Sequence, residues 1–301
     1  MNTYLKSLSL PSPDEEFDWI ERGGDPQLKG KLKKVYTSYY PFRFFTRFFG
    51  SVTFEFDPIT VFYGSNGSGK STLLNVISEI LALKRNAPYN KTDFFDDYCG
   101  LCDLIMDEIP YGSKMITSDD IFRKMNAIRT VNSQIDTERN EIRELKSNLQ
   151  LEAIRNPEFM RFKGLDSYDV WKERVDAVQN TTSAFITNRL GKNLASGSNG
   201  ETAINYLTEE ITDNALYLLD EPENSLAPKL QLELKQFIED SARFFGCQFI
   251  IATHSPLLLA MKEAKIYNLD DDYADEYKWT ELENVKVYAD FFKEHAEEFK
   301  D

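Results

Sequence analysis

From Gly64 to Ser71 the chain reads GSNGSGKS, which fits G-x-x-x-x-G-K-[ST]; the apolar Ile59, Val61 and Phe62 come before it, and Thr72 and an apolar helix start come after it. Each residue type has a physical task in such a loop. Glycines at 64, 67 and 69 let the backbone curl until its N–H groups, with those of Ser65, Asn66 and Ser68, converge at a helix N-terminus, which is an anion site before any side chain is counted. The Lys70 ammonium is then placed to meet β- and γ-phosphates, and the Ser71 hydroxyl to ligate Mg²⁺, with Thr72 next in line. The alternative is a Gly/Ser surface turn that contains a lysine, and the strand before and helix after weigh against it.

Two later segments carry matching chemistry. "ALYLLDEPENSL", 215–226, reads as a buried strand ending in two acids. Carboxylates at such an end are costly unless they meet a cation or water, so Asp220 suits the Mg²⁺ shell and Glu221 suits a general base, a role worth roughly 10²–10⁴ in rate. "CQFIIATHSP", 247–256, delivers His254 at the end of another strand. A lone histidine is usually structural, but beside an acidic strand end and a phosphate loop it can reach a γ-phosphate. Between them lies "LASGSNGETAINYL", 194–207. Ser198, Asn199, Gly200 and Glu201 there read either as a second anion-binding helix N-terminus or as a capped helix start.

The elements that would position these residues are legible in outline. "VTFEFDPITVFYG" predicts two short strands joined at Asp57-Pro58, and Ser71 to Leu83 a helix. Ile121, Ile128, Ile135, Ile142 and Leu149 recur every seven residues, with Met125, Val131 and Leu145 as a partial second stripe, and Asn156-Pro157 ends the pattern. That is one long helix over 118–155, followed by a second carrying Trp171, Val175, Val178 and Phe185, so a helical hairpin packed on itself is expected. Residues 31–49, with five basic residues, no acid and eight aromatics, resemble a base-stacking surface; ordinary strands have the same composition, and the strand reading is preferred. The expected organisation is 1–117 and 191–301 as the two halves of one α/β domain, with 118–190 inserted.

Composition narrows the function classes. A net charge of −15, to which residues 270–301 contribute twelve acids against four lysines, disfavours broad binding to a phosphate backbone. Residues 119–176 hold twelve acids and eleven basic residues, no nucleic-acid stripe. Cys99, Cys102 and Cys247 cannot make a disulfide framework. The C-x-x-C at 99–102 lacks further ligands within the chain, so it reads as two half-buried thiols, the alternative being a zinc shared across a dimer. No membrane span or export signal is read, and a cytoplasmic location is expected.

In order and approximate spacing these motifs resemble the ATP-binding-cassette ATPases over roughly 35–75 and 190–270. Gly64–Ser71 resembles the P-loop, "SNGE" at 198–201 the signature motif, "LYLLDEP" at 216–222 the Walker B strand with its glutamate, "NSLAP" at 224–228 the D-loop, and His254 the switch histidine. The form is closest to the bacterial "predicted ATPases" of the AAA family and to the ATPase heads of DNA-repair, chromosome-maintenance and phage-defence proteins. The resemblance implies an α/β P-loop NTPase of ABC-cassette type, with a mostly parallel central sheet, an antiparallel β lobe and a helical-hairpin insertion. It also implies Mg·ATP, slow hydrolysis by Glu221, His254 and Lys70, and a head-to-tail homodimer with Ser198, Asn199, Gly200 and Glu201 completing the other copy's site. One departure stands out: no glutamine occurs between Ile80 and Ile121, where a Q-loop residue belongs, and Asp93, Asp96 or Asp97 is the conjectured substitute. A transporter's nucleotide-binding subunit is the alternative, disfavoured by Glu201 and the missing glutamine. A fused nuclease is not expected, since about thirty residues follow 270. A protein partner is expected on the helical insertion, and DNA, if bound, at 31–49.

Overall fold

The computed structural model describes residues 2–22, 39–161, 168–190 and 199–299. They form two compact units: Met1–Phe122 with Asn199–Asp301, and Arg123–Ser198.

In the first unit β1 (Leu5–Ser9) lies between β2 (Thr53–Glu55) and β4 (Asp103–Met106) in an antiparallel sheet. Leu8, fully buried, sits across from Phe54 on one side and Leu104 on the other. The second sheet holds β3 (Ile59–Tyr63), β5 (Lys114–Thr117), β6 (Leu216–Asp220), β7 (Gln248–Ala252) and β8 (Lys265–Asn268), in the order β5-β6-β7-β3-β8. All its pairings are parallel. Parallel strands are covered on both faces, and this is why β3, β6 and β7 read as unbroken apolar runs rather than alternating ones. Register puts Thr117 beside Asp220, and Asp220 and Phe62 both beside Ala252, so the residues that follow β3, β6 and β7 emerge at one sheet edge. In an open α/β sheet that edge is where ligands bind.

The helices of this unit follow their sequence signals. α1 (Pro13–Arg22) starts with Pro at its first position and a capping box in which Ser12 and Glu15 satisfy each other's backbone N–H. α2 (Lys70–Ile80) buries Leu73, Leu74, Val76 and Ile77 completely. α3 (Phe95–Cys99) buries Phe95 and Tyr98 against it.

One expectation is overturned in residues 39–49, which form turns rather than strands. The buried rings are Phe42, Phe45 and Phe48, spaced by three, whereas a strand would bury every second residue. Phe42 stacks on Trp19 at 4.4 Å between ring centroids, so Phe42, Phe45 and Phe48 belong to the core, while Tyr39 and Phe49 are exposed. Residues 31–38 of that basic segment lie outside the described residues.

In the second unit α4 (Ser118–Arg155), which begins in the first unit, ends at Asn156-Pro157, where Asn156 caps the following 3₁₀ turn. The second helix of the expected hairpin is in fact two, α5 (Tyr168–Gln179) and α6 (Thr182–Thr187), because the Thr181 hydroxyl caps a new start by accepting from the Ala184 N–H. The hairpin is tied where Lys146, buried, donates to the Asn180 carbonyl at 2.8 Å and Gln150 to the Ala177 carbonyl at 3.0 Å, a cation at a helix C-terminus. Along the seven-residue stripe Ile128, Ile135, Ile142 and Leu149 are only half-buried.

Cys99 and Cys102 point to the carbonyls of Val76 and Tyr98, and burial pushes the Cys99 thiol up to about 12. No described helix is long and apolar enough to cross a membrane.

Candidate functional site

The loop after β3 is shaped by what glycine permits. Gly67 and Gly69 have φ of 85° and 97°, the left-handed region, and a Cβ at Gly69 would stand 2.6 Å from the Phe44 ring. Gly69 is the N-cap of α2 and makes no side-chain cap, which leaves the first-turn N–H groups without a side-chain acceptor. Lys70 is buried, and its ammonium donates to the carbonyls of Gly64 and Ser65 at 2.8 and 3.1 Å. Asn66 and Gly67 are exposed at the tip. Thr72 accepts from the Tyr40 hydroxyl at 2.7 Å. The loop has two further clamps. Asp270, just past β8, accepts from the Ser65 N–H and hydroxyl at 2.8 Å each, and Arg47 donates to the carbonyls of Ser68 and Leu269.

The acidic edge lies against this loop. Ser71 donates to Asp220 Oδ1 at 2.9 Å, joining the first turn of α2 to the end of β6. Burial raises the Asp220 carboxyl to about 6, and the Ser71 hydrogen bond opposes the shift. Glu221 has φ 48°, unusual for a side chain with a Cβ, and its N–H is fixed by the Ala252 carbonyl at 2.9 Å. Such backbone outliers concentrate at functional sites. Its Oε2 accepts from Asn224 at 3.0 Å, while Oε1 lies 3.8 Å from His254 Nδ1.

His254 is held by its backbone. Its N–H reaches Glu223 Oε1 at 3.3 Å and its carbonyl accepts from Asn284 at 2.6 Å, which leaves the half-exposed ring aimed past Glu221. Glu223 is buried and also accepts from the Thr253 hydroxyl; burial raises its pKa. Sequence reasoning missed Arg47, Glu223, Asp270 and Asn284 because their partners are far off in the chain. The only local signal was a third acid, Glu223, two residues after Glu221.

Of the signature-like turn, Ser198 lies outside the described residues. Asn199, Gly200 and Glu201 open α7 (Asn199–Glu210), and a Cβ on Gly200 would stand 2.5 Å from Leu230 of α8 (Pro228–Phe244), so close helix packing accounts for that glycine. Asp96, conjectured as the missing glutamine's substitute, pairs with Lys91 at 2.7 Å; Lys91 also holds Glu79, in the last turn of α2 and opposite the end that carries Ser71. Thr117 and Asp120 occupy the strand end beside Asp220 instead, with Asp120 accepting from the Thr117 N–H at 2.9 Å.

This arrangement fits a triphosphate with Mg²⁺. The helix start is uncapped, the buried Ser68 hydroxyl lacks a hydrogen-bond partner, the Lys70 ammonium is bound only to loop carbonyls, and Asp220 is a carboxylate that a cation would restore to its charged form.

Residues 143–260 match a protein family described as "AAA domain, putative AbiEii toxin, Type IV TA system". The match takes in β6, Asp220, Glu221 and His254 and leaves out the loop at 64–71. Over residues 143–260, which are less than half of its length, the chain is similar to that family. No curated protein is a significant match. Among solved structures, the Smc head domain of Pyrococcus furiosus bound to the C-terminal domain of ScpA is similar at 12% identity, with 97% of this chain and 99% of that one covered and a TM-score of 0.39. The SMC head domain from Thermotoga maritima gives 14% identity, 88% and 94% coverage and a TM-score of 0.36. The dimeric ATP-binding cassette MJ0796 bound to ADP and Pi gives 17%, 77% and 91%, and 0.35.

Proposed function

We propose that the chain binds Mg·ATP and hydrolyses it slowly, and that nucleotide state closes two copies head to tail. The observation that carries the reading is the 2.9 Å contact between Ser71 and Asp220, which unites the phosphate-type loop with the acidic strand end beside Glu221. Lys70 neutralises the β- and γ-phosphates, and Ser71 and Asp220 hold Mg²⁺, which supplies charge stabilisation to the transferring phosphoryl group. Glu221 Oε1, free of other hydrogen bonds, takes the proton of the attacking water, and Asn224 keeps the other oxygen in place. His254 donates towards the γ-phosphate. Gly200 and Glu201 complete the site of a second copy, which makes the dimer symmetric and closed. A defence role accords with the toxin–antitoxin wording of the family description, and a cytoplasmic location with the absence of a membrane-crossing helix among the described residues.

The test is Glu221→Gln. It retains Mg·ATP in equilibrium titration, loses turnover by at least about 100-fold, and forms an ATP-dependent dimer by light scattering. Turnover at the wild-type rate would remove Glu221 from the base role, and persistent monomer at saturating ATP would remove the dimer switch.

A further inference from the structure

A cleft of about 650 Å³ opens beside the switch loop, between His254 and the start of α9 (Pro256–Leu259), the turn at Glu223–Ser225 and α10 (Glu283–Glu294). Its size falls in the range of roughly 300–1,000 Å³ typical of binding pockets. Its α10 wall is Val285, Tyr288, Ala289 and Phe292, the i, i+3, i+4, i+7 stripe that a helix normally buries. Here Tyr288 and Phe292 remain 50% and 53% exposed. Phe291 and Phe299, whose ring centroids lie 5.6 and 6.1 Å from that of Phe292, extend the apolar surface beyond the cleft, farther than a small ligand would cover.

Two further observations say what would fill it. Glu223 lines the cleft, is 5% exposed, and its Oε2 has no hydrogen-bond partner, so a buried carboxylate oxygen lacks a donor. Between Trp279 and Phe299 the chain carries six acids against two lysines. We infer that the cleft is the docking site of a basic amphipathic peptide segment of another protein, with aromatic or aliphatic anchors on Tyr288 and Phe292 and a Lys or Arg directed to Glu223. Helix-in-groove recognition uses anchors at this spacing, and the acidic surround attracts and orients a cationic ligand. Glu223 and Asn284 hold the backbone of His254 from both sides, so an occupied cleft acts on the switch loop. That coupling rests on the ATPase reading, whereas docking does not.

The experiment is fluorescence anisotropy on the full chain without nucleotide, using a labelled sixteen-residue peptide with Leu and Trp on one helical face and Lys on the other. Saturable micromolar binding is expected, at least tenfold weaker for the same peptide with Glu for Lys, and at least tenfold weaker for Tyr288→Glu and Phe292→Asp. Phe244→Asp, at a 69% exposed aromatic outside the cleft, leaves it unchanged. Equal affinity for the acidic peptide, or undiminished binding by Phe292→Asp, overturns the proposal. A nucleotide-free dimer that Phe292→Asp dissociates would make a second copy the occupant and also overturn it. Normal docking alongside absent ATP turnover would sink the ATPase reading alone.

Discussion

The sheet edge that carries Gly64, Asp220 and His254 and the helical unit of residues 123–198 hold their shapes by different means. At the sheet edge nearly every polar group is fixed by a partner distant in sequence: Ser71 by Asp220, Ser65 by Asp270, and the His254 backbone by Glu223 and Asn284. In the helical unit order is mostly local. Its long helix keeps a half-buried isoleucine stripe, and Lys146, Gln150 and Phe185 supply the tie. A site whose geometry must hold to a fraction of an ångström is built on buried strands, and a unit set by helix pattern is free to vary without disturbing it.

This contrast can be broken by experiment. Phe185 is fully buried, with the Arg189 guanidinium 3.6 Å from its ring centroid, so Phe185→Ala should cost about 3–5 kcal/mol locally. Hydrogen exchange across 140–187 should accelerate strongly while Mg·ATP affinity stays within about threefold; a parallel loss of affinity would show that the two regions are not separable. Lys70→Ala should do the reverse, lowering Mg·ATP affinity by about 100-fold, near 2.7 kcal/mol, in calorimetric titration while leaving exchange in the helical unit as it was.

Smaller, and confined to the sheet edge, is a pH effect. The folded-state value of Asp220, about 6, lies above the ordinary aspartate value of about 3.9. The folded chain therefore keeps a proton that the unfolded chain has released. The contribution of Asp220 to stability is fully present below about pH 4 and fades as pH rises through about 6. Without Mg²⁺ or nucleotide, the melting temperature of Asp220→Asn should gain on that of the wild type by roughly 2–4 °C between pH 4 and 7. A gap that does not change with pH would mean that burial is not what raises this carboxyl.

What could be read in advance follows the same division. The phosphate-type loop and the Asp220-Glu221 pair were legible because their chemistry is written in contiguous residues between apolar runs. The helix over 118–155 was legible from its period. The break at Asn180-Thr181 was not, since a single capping hydroxyl decides it within an otherwise amphipathic run. Residues 39–49 misled because phenylalanine suits a strand and a packed turn alike, and only the spacing of three separated them. Asp270 and Asn284 carry no local mark at all, for Ser65 and His254 become their neighbours only when the sheet is assembled.

The strand order also bears on how the chain comes off the ribosome. Among the described residues β3, which leads into the phosphate-type loop, pairs only with β7 and β8, and residues 64–247 separate it from the nearer of them in sequence. At a translation speed of about 5–20 residues per second, Ile59–Tyr63 waits roughly 10–40 s for its first neighbour. Throughout that interval a five-residue apolar segment with two unpaired edges belongs to a nascent polypeptide, a natural client for chaperones, and the loop becomes competent only after β7 has been made.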